Sequence, residues 1–261
     1  MRIAYGIAAL LAPAVLCAQT LVVCADPNNL PFSNREQQGF ENKLVALLAR
    51  NLHEQVNYVW WAQRRGFARH TLAQARCDLW PGVASGVPGM GTTRPYYRSM
   101  YVFVTRKSRP LQGLSLDDPR LKHLLIGVEL IGYDGINTPP AQALAGRGLT
   151  QNVRGFMVFG DYSRPHPSAA IVDAVASAAV DVALVWGPLA GYFSKREPVP
   201  LRLEPIADDH PWRMSYDIAV GVRRDEPQLR QRLDAALQAE QPVIAALLRD
   251  YQVPQAAPAV E

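Results

Sequence analysis

The residues able to do chemistry stand at the ends of apolar runs. Asp26 follows Thr20–Ala25, a run of strand length, and opens Asp26-Pro27-Asn28-Asn29-Leu30-Pro31-Phe32-Ser33-Asn34, a stretch dense in turn formers. Its carboxylate has two open readings: an acceptor facing a cleft, with Asn28, Asn29 and Phe32 beside it, or the acceptor of an Asx turn that holds the loop. Trp186 ends the run 180–186, after which Gly187-Pro188 breaks the pattern and a small-residue helix begins. A buried parallel strand reads this way, and open α/β sheets bind ligands at the carboxyl ends of such strands. Trp60, Trp61, Tyr96, Tyr97, Trp186 and Trp212 are large side chains with polar tips, suited to gripping a peptide segment or a flat organic molecule. Trp60 and Trp61 are consecutive on a strand and point to opposite faces, so one belongs to the core; Trp61 is assigned to the cleft. Arg64, Arg65 and Arg94 lie next to expected strand ends and suit an acidic partner surface, whereas Arg69 is expected on a solvated face.

Catalytic patterns are missing. There is no Gly-x-Ser-x-Gly and no His-Glu-x-x-His, and the five histidines are scattered. No CxxC or His-rich spacing suggests a metal, and Asp117-Asp118 and Asp208-Asp209 lack the alternation of a calcium loop. No catalytic residue, metal or cofactor is assigned. The net charge of +4 comes without a dense Lys/Arg run, which argues against nucleic acid.

The elements that must position these residues follow from periodicity. Residues 1–18 carry Arg2, an apolar run and then Ala18, the pattern of a secretory signal peptide, too short for a membrane span; no other stretch is long and apolar enough to span. Strands are expected at 20–25, 56–61, 78–83 and 101–105, with helices at 41–52 and 65–76 between them, a βαβαβ order that predicts a parallel sheet. A second set follows: strands at 124–128, 156–159 and 181–186, helices at 139–145 and 168–179. A return strand at 216–222, helices at 227–239 and 242–251, and a disordered Pro/Ala tail from Pro254 finish the chain. Residues 75–82 and 178–188 echo each other as helix, Asp, strand, Trp, Gly/Pro. Cys24 and Cys77 are either bridged, as a pair in an oxidising compartment, or two small buried hydrophobes; their strand positions are offset, which strains disulfide reach.

This order, with Pro31-Phe32, Gly39-Phe40-Glu41, Cys77-Asp78, Pro95-Tyr96-Tyr97, Asp181 and residues 218–223, resembles the bilobed periplasmic solute-binding proteins of the polar amino-acid type. Longer stretches narrow it: residues 23–34, Gly39-Phe40-Glu41-Asn42-Lys43, Gln63-Arg64-Arg65-Gly66-Phe67, residues 93–99 and residues 185–192 are similar to the MoxJ/XoxJ group, the binding-protein-like components found with PQQ-dependent methanol and other alcohol dehydrogenases. The resemblance implies an α/β, bilobed periplasmic solute-binding-protein fold (type II), with two mainly parallel-sheet lobes and a two-crossing hinge. Lobe 1 is expected at 19–108 and 212–261, and lobe 2 at 109–211. It implies a periplasmic, non-catalytic accessory protein whose partner is the PQQ-dependent dehydrogenase. The alternative from the transport class is an ABC-importer receptor for an uncharged or aromatic small molecule.

Two departures from amino-acid binders carry the chemistry. The arginine with which those proteins grip the ligand carboxylate falls here at Gly86, and the carboxylate for the ligand amine falls at Trp186. Burying a zwitterion without partners costs several kcal/mol per charge. Calorimetry with a panel of free amino acids should therefore find no tight binder, and sub-micromolar affinity for any of them would contradict the reading.

Overall fold

The structure is a computed structural model that describes residues 19–131, 137–158 and 162–257. The expected signal segment lies outside the described residues. In chain order the elements are β1 (Thr20–Ala25), β2 (Asn28–Asn29), β3 (Ser33–Asn34), α1 (Phe40–Leu52), β4 (Gln55–Trp60), α2 (Phe67–His70), β5 (Leu79–Ala84), β6 (Gly91–Thr92), β7 (Tyr97–Arg106), β8 (Ile126–Leu130), α3 (Pro139–Gly146), β9 (Val153–Met157), α4 (Ala170–Ala176), β10 (Val182–Trp186), α5 (Gly187–Ser194), β11 (Leu201–Pro205), β12 (Ser215–Val222), α6 (Pro227–Ala239) and α7 (Gln241–Asp250).

β7 joins two sheets. Its first residues, Tyr97 to Met100, pair antiparallel with β12 in a sheet ordered β4-β1-β5-β12-β7. From Tyr101 on it pairs antiparallel with β10 and β11, in a second sheet that continues through β8 to β9. β1 runs parallel to β4 and β5, and β8 runs parallel to β9 and β10, so each lobe keeps a parallel core expected of βαβ crossovers. The chain returns to the first sheet after Ile206, whose N–H donates to the Tyr101 carbonyl, and the Tyr101 N–H donates to the Met214 carbonyl. Both crossings therefore meet at Tyr101. From Tyr101 on, β10 and β11 flank β7, so the far half of this strand pairs within the second sheet.

The helices form where apolar spacing and caps agree. Phe40, Leu44, Val45, Leu47 and Leu48 bury one face of α1, and Asn42 Oδ1 accepts from the Gly39 and Asn34 N–H groups at its start. The helix expected at 65–76 is instead α2 and a short 3-10 turn, Leu72–Gln74. Thr71 Oγ1 bonds back to the Phe67 carbonyl at 2.6 Å, which competes with helix continuation, and Ala75 at φ 52° ends the turn. The helix expected at 168–179 shortens to a 3-10 turn and α4, with Ala178 at φ 64° beyond it. The strand expected at 156–159 is β9, several residues earlier, and Phe159 lies outside the described residues.

The Asp echo has a physical meaning. Asp78 Oδ2 accepts the Val22 N–H at 2.8 Å, and Asp181 Oδ2 accepts the Leu125 N–H at 2.9 Å. In each lobe an aspartate just before a strand satisfies a backbone donor of the neighbouring parallel strand. Cys24 and Cys77 are bridged, with Cα atoms 5.6 Å apart, beside buried Phe67 and Leu72. That separation lies inside the usual range.

Residues 254–256 of the C-terminal segment are held against β7, where the sequence suggested a disordered tail. Ser99 Oγ donates to the Pro254 carbonyl at 2.6 Å, and the Ala256 N–H donates to the Arg98 carbonyl at 3.0 Å. A Cβ at Gly191 would overlap the Gln252 carbonyl, so α5 of lobe 2 packs against this strap because position 191 has no side chain.

Candidate functional site

The carboxyl ends of β1, β5, β8 and β10 face one another across the hinge and enclose a cavity of about 310 Å³. This is where α/β sheets place ligands. Lobe 1 contributes Asp26, Asn28, Asn29, Phe32, Glu41, Gln63, Gly82 and Ala84. Lobe 2 contributes Glu129, Trp186 and Leu189, and the crossing strands contribute Tyr97, Tyr101, Tyr216 and Ile218.

Asp26 is 3% exposed and does both things its position suggested. Oδ1 accepts the Asn28 N–H at 2.8 Å, which is the Asx turn, and Oδ2 accepts the Gln63 N–H at 2.6 Å. Oδ2 also accepts the hydroxyl of Tyr162, which belongs to lobe 2. Asn28 Nδ2 donates to the Arg164 carbonyl at 3.0 Å and Ser168 Oγ donates to the Leu30 carbonyl at 2.9 Å. The Arg64 guanidinium lies 5.2 Å from the centre of the Tyr162 ring. The lobes are thus closed on each other along the mouth of the cavity.

Trp186 is half-buried, with ring centres 5.2 Å from Tyr101 and 6.1 Å from Tyr216 in edge-on geometry. Its backbone N–H donates to Glu129 Oε2 at 2.9 Å. A carboxylate therefore does stand beside the strand end where amino-acid binders keep theirs, supplied by β8. Glu41, in the first turn of α1, is 7% exposed and also lines the cavity. A Cβ at Gly82, which adopts φ +79°, would overlap the Glu41 carboxyl, so this glycine makes the room that the acid occupies. Burial pushes the Glu41 carboxyl up to about 8. Burial also pushes Glu129 up to about 7, against the lowering effect of the Trp186 N–H. The buried phenols of Tyr97 and Tyr101 are held above their usual range, first by burial and then by Glu41 and Glu129 respectively. Among the described lining residues there is no lysine or arginine.

Of the residues singled out from sequence, Asp26, Asn28, Asn29, Phe32, Tyr97 and Trp186 line the cavity, and Arg64 sits at its mouth. The others stand elsewhere. Trp61 is 39% exposed and lies between His70 and Arg76, 6.0 Å and 5.0 Å away. Trp60 stacks on Tyr58 at 4.6 Å and is only half-buried, so neither tryptophan of the pair is core. Tyr96 packs 4.9 Å from Tyr97 behind the cavity wall. Arg65 is exposed; Arg94 is exposed too, with its N–H on Asp234 Oδ1 at 2.6 Å, at the outer face of lobe 1. Trp212 is 36% exposed in the Asp209–Trp212 turn of the return crossing. Sequence reasoning missed Glu41, Gln63, Tyr101, Glu129, Tyr162 and Tyr216. A signal existed for Glu129, a lone charge inside the apolar run of β8.

No family model matches the chain. It is 30% identical to Protein MoxJ of Methylorubrum extorquens over 91% of this chain and 82% of that one. Among solved structures it is similar to the periplasmic binding protein XoxJ from Methylobacterium extorquens AM1, at 35% identity and a TM-score of 0.75, covering 91% of this chain and 99% of that one. It is also similar to MxaJ from Methlophaga aminisulfidivorans MPT, at 25% identity and a TM-score of 0.76, over 90% and 100% of the two chains.

The two raised carboxyls fix a pH dependence of stability. A carboxyl held neutral by the fold favours the folded state fully below its unfolded value, and that contribution is lost as pH rises through the folded values of about 7 and 8. Thermal unfolding of the ligand-free protein should therefore fall in midpoint between about pH 5 and pH 8.5. Glu41→Gln should flatten the profile and be more stable than the parent at the alkaline end by about 1 kcal/mol or more. A midpoint that rises over this range, or a variant that tracks the parent, would contradict the burial account.

Proposed function

The chain belongs to the MoxJ family of periplasmic binding proteins, and from that premise we propose that it is a periplasmic, non-catalytic accessory protein of a PQQ-dependent methanol or other alcohol dehydrogenase. In this reading the lobes close on a segment of the dehydrogenase and aid its maturation or activation. The observation that carries it is the lining: aromatic rings and carboxyls from both lobes, closed over by Asp26 and Tyr162, with no lysine or arginine among the described residues to take a ligand carboxylate. The scaffold of a solute receptor is retained, and the pair of charges a free amino acid needs is not. The same lining disfavours the quinone cofactor as cargo, because a tricarboxylate would meet three acids and no cation.

The small volume of the closed cavity favours a second reading, a solute receptor of an ABC importer. It is large enough for one side chain or a small molecule, and a peptide segment enters it only at a single residue while the rest runs along the mouth.

The two readings part in a capture experiment. Immobilised protein should retain the apo-dehydrogenase, and adding the protein should raise the yield of active enzyme. Trp186→Ala should weaken capture by about tenfold while leaving the fold intact, since the ring lies half-buried at the cavity edge. No capture and no change in activation would defeat the accessory reading. Undiminished capture by the variant would remove the cavity from the partner interface.

A further inference from the structure

We propose that the closed cavity is a site for an organic cation, an ammonium or guanidinium group on a short apolar stem, taken between Glu41, Glu129 and the rings of Tyr97, Tyr101 and Trp186. Where the cation is a lysine or arginine side chain of a gripped segment, the inference rests on the accessory role above; a free amine would satisfy the same chemistry without it.

Glu41 is the starting point. It is more than nine-tenths buried and lines the cavity, and no hydrogen bond from the described residues offsets the burial of its carboxyl. A buried carboxyl without a partner is costly, and the fold goes further by placing a left-handed glycine, Gly82, against it. Glu129 is half-satisfied: Oε2 takes the Trp186 N–H, and Oε1 receives no hydrogen bond among the described residues. Asp26, by contrast, has its oxygens occupied by Asn28, Gln63 and Tyr162, so its part is closure and not ligand charge. Among the lining carboxyls the unmet hydrogen-bonding capacity therefore lies with Glu41 and Glu129, one from each lobe.

The rings select the same ligand. A cation is drawn to the faces of tryptophan and tyrosine, most strongly where water is excluded. An anion would face ring faces with no lysine or arginine in the lining to pair with, and a zwitterion would leave its carboxylate unpaired. An ammonium on an apolar stem satisfies both the acids and the rings.

Binding has a proton balance. In the empty closed cavity Glu41 is held neutral. When an ammonium enters, the Glu41 O–H gives its proton to the solvent buffer, the carboxylate accepts from the ammonium N–H, and the ligand keeps its charge. Glu129 does the same for the fraction that is protonated. The titratable groups facing Glu41 are the phenols of Tyr58 on β4, Tyr96, and Tyr97 on β7; Tyr101 faces Glu129. Burial holds each of these phenols above its usual range, so none of them titrates near neutrality.

Calorimetry on the purified protein tests this with four probes: benzylamine, Nα-acetyl-lysine methylamide, benzyl alcohol and benzoate. The cations should bind at least about tenfold more tightly than benzyl alcohol, and benzoate should not bind. Their affinity should rise by about fiftyfold or more between pH 6 and pH 8, with proton release seen as a dependence of the heat on buffer ionisation enthalpy. Glu41→Gln and, separately, Glu129→Gln should each weaken cation binding, and Glu41→Gln should remove most of the proton release. Preference for benzylamine assigns a free amine, and preference for the blocked lysine assigns a protein side chain. Benzyl alcohol or benzoate binding as tightly as benzylamine, no binding of either cation, or binding without proton release would overturn the inference. If amines bind but the dehydrogenase is not captured, the accessory role fails and the cation site stands. If capture persists unchanged at saturating benzylamine and in Glu41→Gln, the dehydrogenase does not deliver the cation.

Discussion

One carboxylate, Asp26, ties the two lobes together at the cleft. It ends β1, turns the loop through the Asn28 N–H, holds Gln63, and accepts the Tyr162 hydroxyl from the opposite lobe. The rest of the closed form depends on that contact. With it in place, Asn28 reaches the Arg164 carbonyl, Ser168 reaches the Leu30 carbonyl, and Arg64 covers the Tyr162 ring. Hydrogen bonds buried from water gain from the low dielectric around them. Both crossings converge on Tyr101, where β7 passes from one sheet to the other.

Behind this closure the protein keeps two acids, Glu41 and Glu129, with carboxyls raised by burial against aromatic rings. Water in the open cleft would stabilise both carboxylates, and closing the lobes removes that water. Closure without a ligand is therefore opposed by Glu41 and Glu129, which meet it by taking up protons. At the proposed cation site an ammonium would offset the same opposition, and closure and occupancy would be coupled through this desolvation.

The crossover pattern and the ends of β1 and β10 were legible in the sequence, because alternating strand-length runs and turn clusters encode them directly. So were the two aspartates, whose echo at Asp78 and Asp181 reflects the same backbone need in each lobe. The antiparallel partner β11 was not, since residues 201–205 carry Arg202, Glu204 and Pro205 on an edge that sequence pattern does not distinguish from a loop. The site was half legible. Trp186, Asp26 and Tyr97 sit at strand starts or ends that the chain order predicts. Tyr162, Tyr101 and Tyr216 reach the cavity through lobe closure and the hinge, which are tertiary facts. Glu41 was visible only as the first turn of a helix, where an acid is ordinarily explained by the helix dipole. Its burial comes from Gly82, forty-one residues away in the chain.

The central claim is that this cleft, and not an outer face, receives the partner. Amide hydrogen exchange of the protein with and without the apo-dehydrogenase measures it directly. Slower exchange confined to residues 26–34 and 162–169, the two sides of the mouth, is the predicted result. Protection on the outer surfaces around Arg65 and Arg94, with the mouth unchanged, would contradict it.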